Sequence, residues 1–404
     1  MEANNSVQDT SEYKGSWPNI PKSSELFECL QRVQGSQKIE IGGTVKYWGF
    51  YTKKEVEEAE VNGRLLHLDF DFFRKCSLRC PICYRRRNKV DDTDEPDLTY
   101  EEKLGIIWEA KRIGLKTVKM CGAGEPFEDA RLLRFARQLT DWGVGLSIFT
   151  KGQVFGNNNL AKAIYGSEGI RNGRQLAKAF AELKVSIMLS FLSSDSSKQD
   201  LLVGNVPGYT NWRNRAAEIL AETGFNQGVP SRFALVMAPL TPDNYHDAFP
   251  LYVYCRERNI LPVIAVLMVS GKQIKGHLRD NNIIEPEKII ELWTKVYKYN
   301  IQHGLQSVDD MLSKERETIS CMPGIHPCNQ IAVGLYVTEN GNVIWCPGNG
   351  GDGIKGNVHK ESLESIWAKV RETYGGEYNV GCPFKVKITL PANYQDAVRQ
   401  NLNK

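Results

Sequence analysis

Arg74-Lys75-Cys76-Ser77-Leu78-Arg79-Cys80-Pro81-Ile82-Cys83-Tyr84 sets three cysteines in a C-x3-C-x2-C spacing, directly after the apolar, strand-like stretch Leu65-Leu66-His67-Leu68-Asp69-Phe70. Three thiolates on one short loop can hold three irons of a cubic [4Fe–4S] cluster and leave the fourth iron open to a small molecule. A loop of that kind is a candidate reaction centre rather than a clamp. The rival metal is zinc, which takes four ligands, often in paired C-x2-C knuckles, and no fourth ligand lies beside this loop.

The strand before the loop is the first of six. Leu65–Phe70, Thr117–Cys121, Gly145–Thr150, Val185–Phe191, Ser231–Met237 and Val263–Val269 read as strands. Helical patterns lie between them: Tyr100–Ile113, with a capping box from Thr99 to Glu102 and Gly114 at its end, then Ala130–Trp142, Arg174–Leu183, Trp212–Glu222 and Asp243–Arg258. Such alternation predicts an α/β fold with a parallel sheet, open or curled as an incomplete (β/α) barrel. Chemistry in these folds gathers at the carboxyl ends of the strands, where the cysteine loop lies. A long amphipathic helix, Glu285–His303, closes the region.

The chain has 404 residues and a net charge of +3, so no strong field for nucleic acid or membrane is implied. Its longest apolar run, Ile260–Val269, is too short to span a bilayer and contains Pro262. The polar N-terminus lacks an export signal's apolar segment. Ten cysteines without such a signal point to metal or catalysis in a reducing cytoplasm rather than to disulfides. Residues 1–63 read as an N-terminal extension, polar at first, then a short helix over Ser23–Val33, a hairpin around Gly42-Gly43 and a charged helix over Lys53–Glu60.

A second constellation, Cys121-Gly122-Ala123-Gly124-Glu125-Pro126, ends the second strand. Glycines there let backbone acceptors approach a ligand closely. Together with the C-x3-C-x2-C loop one strand earlier, this G-x-G-E-P element resembles the radical S-adenosylmethionine (radical SAM) superfamily over residues 64 to about 385. The resemblance implies a partial (β/α)6 TIM-like barrel over 64–305 and a [4Fe–4S] cluster on Cys76, Cys80 and Cys83. It also implies S-adenosyl-L-methionine bound with the help of Gly122, Gly124, Glu125 and Pro126. Ser190, ending the fourth strand, matches a serine that relatives place near the ribose. Thr150-Lys151-Gly152 stands where relatives have Thr-Asn-Gly, and Asn244 where they carry Asn. Arg232 is a candidate carboxylate partner. Ile82 departs from the pattern, since relatives often have an aromatic residue there, and Arg85-Arg86-Arg87 has no counterpart in it.

The third group is Cys321-x6-Cys328, then Tyr336–Trp345 around the turn Asn340-Gly341, then Cys346 and Cys382. The hairpin brings Cys328 and Cys346 towards each other. Four thiolates suit either zinc or a cluster. The arrangement resembles the SPASM/twitch lobe of radical SAM enzymes, which implies a C-terminal domain over 306–404 and a second [4Fe–4S] cluster on Cys321, Cys328, Cys346 and Cys382. His326 lies between two of these cysteines without being needed as a ligand.

The activity so implied is that of an oxidoreductase or lyase. A reduced cluster splits S-adenosylmethionine, and the 5′-deoxyadenosyl radical takes a hydrogen atom from a substrate. The electron donor would be a flavodoxin or ferredoxin. The substrate expected is a small polar molecule, sugar-, cyclitol- or nucleotide-like, with a ribosomally made peptide as the alternative. From another class, a zinc-stabilised binding module without catalysis stays open.

Overall fold

The structure, a computed structural model, describes residues 30, 32–35, 48–49, 51–81, 83, 95–266, 283–305, 332–346, 353–373 and 394–402. After α1 (Lys53–Val61) come β1 (His67–Phe70), α2 (Tyr100–Arg112), β2 (Thr117–Met120), α3 (Arg131–Asp141) and β3 (Gly145–Thr150). Then follow α4 (Gln153–Gly156), α5 (Asn158–Tyr165), α6 (Gly173–Glu182), β4 (Ser186–Ser190), α7 (Ser196–Leu202) and α8 (Tyr209–Glu222). β5 (Phe233–Leu240), α9 (Tyr245–Glu257), β6 (Leu261–Val266) and α10 (Pro286–Gln302) complete the alternation. The chain continues through β7 (Gly334–Val337), β8 (Asn342–Ile344), β9 (Gly356–Asn357), α11 (Leu363–Thr373) and α12 (Tyr394–Leu402).

The six strands fall where the sequence places them, with β5 running on to Leu240 past a register shift after Met237. They pair parallel in chain order, β1 to β6, each joined to the next by a helical crossover. The sheet does not close, so the fold is a partial TIM-like barrel. α2 starts as its sequence dictates, with Thr99 and Glu102 each hydrogen-bonding the other's backbone N–H. The short helices α4, α5 and α7 carry too few residues for a legible period.

Leu68, Phe70, Val118, Met120, Ile148 and Ile187 pack under the helices in the main core. Alternation turns their neighbours to the concave face. There Trp48, Met188, Ala234, Val236 and Leu261 form a separate apolar cluster, with Cys121, Phe149 and Val263 packed on it. Trp48 floors this face: its Nε1 donates to the Ser231 carbonyl ahead of β5, at 2.9 Å. Leader residues therefore cap the amino-terminal end of the barrel. The helix expected over Ser23–Val33 and the hairpin around Gly42-Gly43 lie largely outside the described residues.

β7 pairs parallel with β1, His67 against Gly334 and Phe70 against Val337. β8 returns antiparallel through the Asn340-Gly341 turn, as expected, and β9 adds to it. The hairpin thus extends the barrel sheet beyond β1. A buried ion pair fixes it to α2, Lys103 Nζ lying 2.8 Å from Glu339 Oε1. Among the described residues, no helix is long and apolar enough to cross a membrane.

Candidate active site

Parallel strands put all their carboxyl ends on one edge, so the loops after β1, β2, β3 and β4 converge. The cysteine loop is held from three sides. The backbone N–H of Glu125 donates to the Lys75 carbonyl (2.9 Å), and that of Arg79 to the Val203 carbonyl (3.0 Å). Glu128 accepts from the Ser77 N–H at 2.9 Å and pairs closely with the Ser77 hydroxyl. Gln153 holds Glu128 in turn, at 2.9 Å.

Cys80 is buried with Leu78, Val203 and Tyr209, and Cys76 and Cys83 pack on the same apolar group. Burial and the nearby Glu125 carboxylate push the Cys76 thiol up to about 12. Its sulfur becomes a thiolate donor only when a cation lies beside it. Among the described residues, no three His, Cys, Asp or Glu side chains are gathered as one metal ion needs. Cys76, Cys80 and Cys83 share one apolar cradle on one loop, and three thiols so placed are a donor set that suits a cluster.

The G-x-G-E-P loop packs directly on this one. Gly124 has φ +73°, and a methyl group there would run into the Phe73 carbonyl. At Gly122 a methyl group would collide with the Asp71 carboxylate and the Tyr336 hydroxyl. Only glycine permits so close a stack. Pro126 opens a short 3-10 turn through Glu128, which carries the Ser77 contact.

Glu125 turns inward, 1% exposed. Its Oε1 accepts from the Thr150 hydroxyl at 2.7 Å and its Oε2 from the Lys151 N–H at 2.8 Å. Burial pushes it up to about 7 against those hydrogen bonds, which lower it. The carboxylate thereby ties the end of β2 to the end of β3. Ser190, fully buried, accepts from Lys151 Nζ at 2.8 Å. Tyr209 beside Cys80 donates to the Lys151 carbonyl at 2.7 Å. Lys151 is thus the junction of the β3 and β4 ends with the cysteine loop.

Two candidates lie elsewhere. Arg232 donates to the Ala181 and Val185 carbonyls, at the opposite end of the sheet. Asn244 stitches the turn after β5, accepting from the Thr241 N–H at 2.7 Å. Cys346 is buried just after β8. Cys321, Cys328, Cys382, His326, Ile82 and Arg85-Arg86-Arg87 lie outside the described residues.

Sequence reasoning missed Asp71, Glu128, Tyr209 and Tyr336. Asp71 was within reach, because His67, Asp69 and Asp71 repeat every second residue through an apolar strand. Tyr209 and Tyr336 are long-range partners with no local signal.

Solved structures share this architecture. Streptococcus suis SuiB bound to precursor peptide SuiA matches at 18% identity, over 78% of this chain and 68% of that one, with a TM-score of 0.52. Histidine-tagged anSMEcpe with bound AdoMet matches at 14% identity, over 83% of this chain and 95% of that one, with a TM-score of 0.55. Native anSMEcpe with bound AdoMet and the Kp18Cys peptide matches at 13% identity over the same shares, with a TM-score of 0.56. No protein-family model and no curated protein matches the sequence. The chain has the fold of the radical SAM enzymes.

Proposed function

We propose that this chain is a radical SAM enzyme that reductively cleaves S-adenosylmethionine and removes a hydrogen atom from a substrate held on the concave face. The observation that carries this reading is the stack of the C-x3-C-x2-C loop on the Gly122–Pro126 loop at adjoining strand ends. Cys76, Cys80 and Cys83 would hold the reactive cluster. When bound, cluster and S-adenosylmethionine together supply a carbon radical able to attack an unactivated C–H bond.

This chain's own residues bind, orient and exclude water. Gly122 and Gly124 let backbone approach the methionyl end of the cofactor. Lys151 offers a cation to its carboxylate, and Ser190 a hydroxyl to its ribose. Glu125 and Pro126 hold these loops in register. Trp48 shuts the far end of the barrel against solvent. A second cluster on Cys321, Cys328, Cys346 and Cys382, an electron donor of the flavodoxin or ferredoxin kind, and a reducing cytoplasm complete the reading.

Of the two substrate readings, the peptide one is favoured. Phe149, Met188, Val236 and Val263 make much of the concave wall apolar, which suits an amino-acid side chain better than a polyol. SuiB and anSMEcpe were solved with peptides.

Anaerobic reconstitution followed by dithionite and S-adenosylmethionine tests the class. Formation of 5′-deoxyadenosine with about four irons per reactive site is expected. A colourless zinc protein that leaves S-adenosylmethionine intact would be a binding module instead.

A further inference from the structure

Beneath the cofactor loops, β1 and β2 carry a charged group that the proposed chemistry does not use. Asp69 and Lys119 are register partners, and Leu68 and Val118 beside them face the helices. Alternation therefore turns Asp69 and Lys119 to the concave face. Lys119 Nζ lies 3.0 Å from Asp69 Oδ1. The same oxygen is 3.4 Å from His67 Nε2 and 3.7 Å from Cys121 Sγ. His67 Nδ1 is 2.8 Å from the Thr117 hydroxyl.

Exposure separates the members. The side chains of His67 and Asp69 are 2% and 3% exposed, whereas that of Lys119 is 27% exposed. Lys119 stands two residues before Cys121, about 7 Å below the level where the Gly122 loop begins. A molecule lying under the cofactor would meet it. On the other side that molecule would meet Phe149, Met188 and Val263.

We propose that Lys119, held in place by Asp69, is the substrate-gripping residue of this chamber, and that it takes a neutral carbonyl on an otherwise apolar molecule, as in a peptide. A lone lysine would draw a carboxylate or phosphate. Here the buried Asp69 carboxylate already offsets the charge, and a second anion would stand close to it. Burial and the Lys119 charge lower His67, leaving that ring neutral. For Asp69 burial acts upward, but Lys119 and His67 together hold it below the usual carboxylate range. The trio therefore sums to zero, and a neutral acceptor meets no net repulsion. The inference rests on the radical SAM reading and narrows its substrate.

The test uses anaerobically reconstituted holoenzyme with S-adenosylmethionine and three probes of similar size. N-acetyl-L-leucinamide carries neutral carbonyls on an apolar body, 4-methylpentanoate an anion on the same body, and myo-inositol hydroxyls alone. Affinities are read by saturation-transfer NMR. The amide should bind best. Lys119→Gln should weaken it about tenfold, the worth of a hydrogen bond to a charged group. Lys119→Arg should recover part of the loss.

Because Lys119→Gln strands the Asp69 charge, Asp69→Asn/Lys119→Gln is measured beside it, with thermal midpoint and iron content as folding checks. Tighter binding of the anion or the polyol, no binding of the amide, or an amide affinity unmoved in both variants overturns the inference. A wild-type protein that forms no 5′-deoxyadenosine sinks the class reading instead. One that forms it, yet prefers the anion, sinks only the assignment of Lys119.

Discussion

The Tyr336 hydroxyl donates to Asp71 Oδ1 at 2.6 Å, and the same oxygen accepts the Ala123 N–H at 2.7 Å. One carboxylate oxygen thus joins the C-terminal hairpin to the G-x-G-E-P loop, across the end of β1. Tyr336→Phe removes one arm of that junction. It should cost about 1.5–3 kcal/mol of stability, the net worth of a buried hydrogen bond to a charged group. If the loop binds S-adenosylmethionine, its KM in the cleavage assay should rise about fivefold with iron content unchanged. An unaltered KM would confine Tyr336 to packing.

Lys151 Nζ reaches the Ser190 hydroxyl at 2.8 Å. Lys151→Met would remove the cation proposed above for the cofactor carboxylate while keeping the stem's length. The expected outcome is a rise of about tenfold in KM for S-adenosylmethionine, with Lys151→Arg recovering part of it. Equal KM values in all three proteins would remove Lys151 from the binding site.

Cys80 sits in the apolar cradle of Leu78, Val203 and Tyr209. Cys80→Ala should lower the iron content by about four per chain and abolish 5′-deoxyadenosine formation. Cys346→Ala should keep the reactive cluster and impair turnover. Iron and sulfide assays on the two variants separate the centres, and an identical loss in both would merge them.

Lys103 Nζ, 2.8 Å from Glu339 Oε1, also donates to the Leu98 carbonyl at 2.9 Å. Removing one partner of a buried pair leaves a bare charge, so Lys103→Ala should cost about 3–5 kcal/mol. Lys103→Met/Glu339→Leu should cost less than the single change. Urea unfolding measures both, and a double variant weaker than the single one would contradict the pairing.

Trp48 is 3% exposed and ties the floor of the concave face to the backbone before β5. Trp48→Ala should cost about 3–5 kcal/mol by opening a cavity. It should also admit water from below and raise loss of S-adenosylmethionine without product. A thermal midpoint within error of wild type would mean that the floor does not bear on stability.

The barrel was legible because its strands and longer helices announce themselves locally: Thr99 and Glu102 cap α2, and the short apolar run Gly145–Thr150 stands between two helical patterns. The cysteine spacing and the G-x-G-E-P run are likewise local. What escaped was pairing at long range. Nothing near Asp71 points to Tyr336, and nothing near Cys80 points to Tyr209. The hold of Thr150 and Lys151 on the Glu125 carboxylate was likewise not legible, because it exists only once β2 and β3 lie side by side. Trp48 belongs to a leader stretch read as a hairpin arm, and its place under the barrel depends on β4, β5 and β6 together.

The parallel pairing of His67 with Gly334 bears on how the molecule is made. During synthesis the outer flank of β1 waits, unpaired, until the hairpin has left the ribosome. Non-local contacts of this kind form late, and an uncovered strand flank invites intermolecular association. If Cys76, Cys80 and Cys83 take up iron as proposed, loading has a window before β7 pairs with β1, and C-terminal truncation should lower the iron that these three cysteines hold.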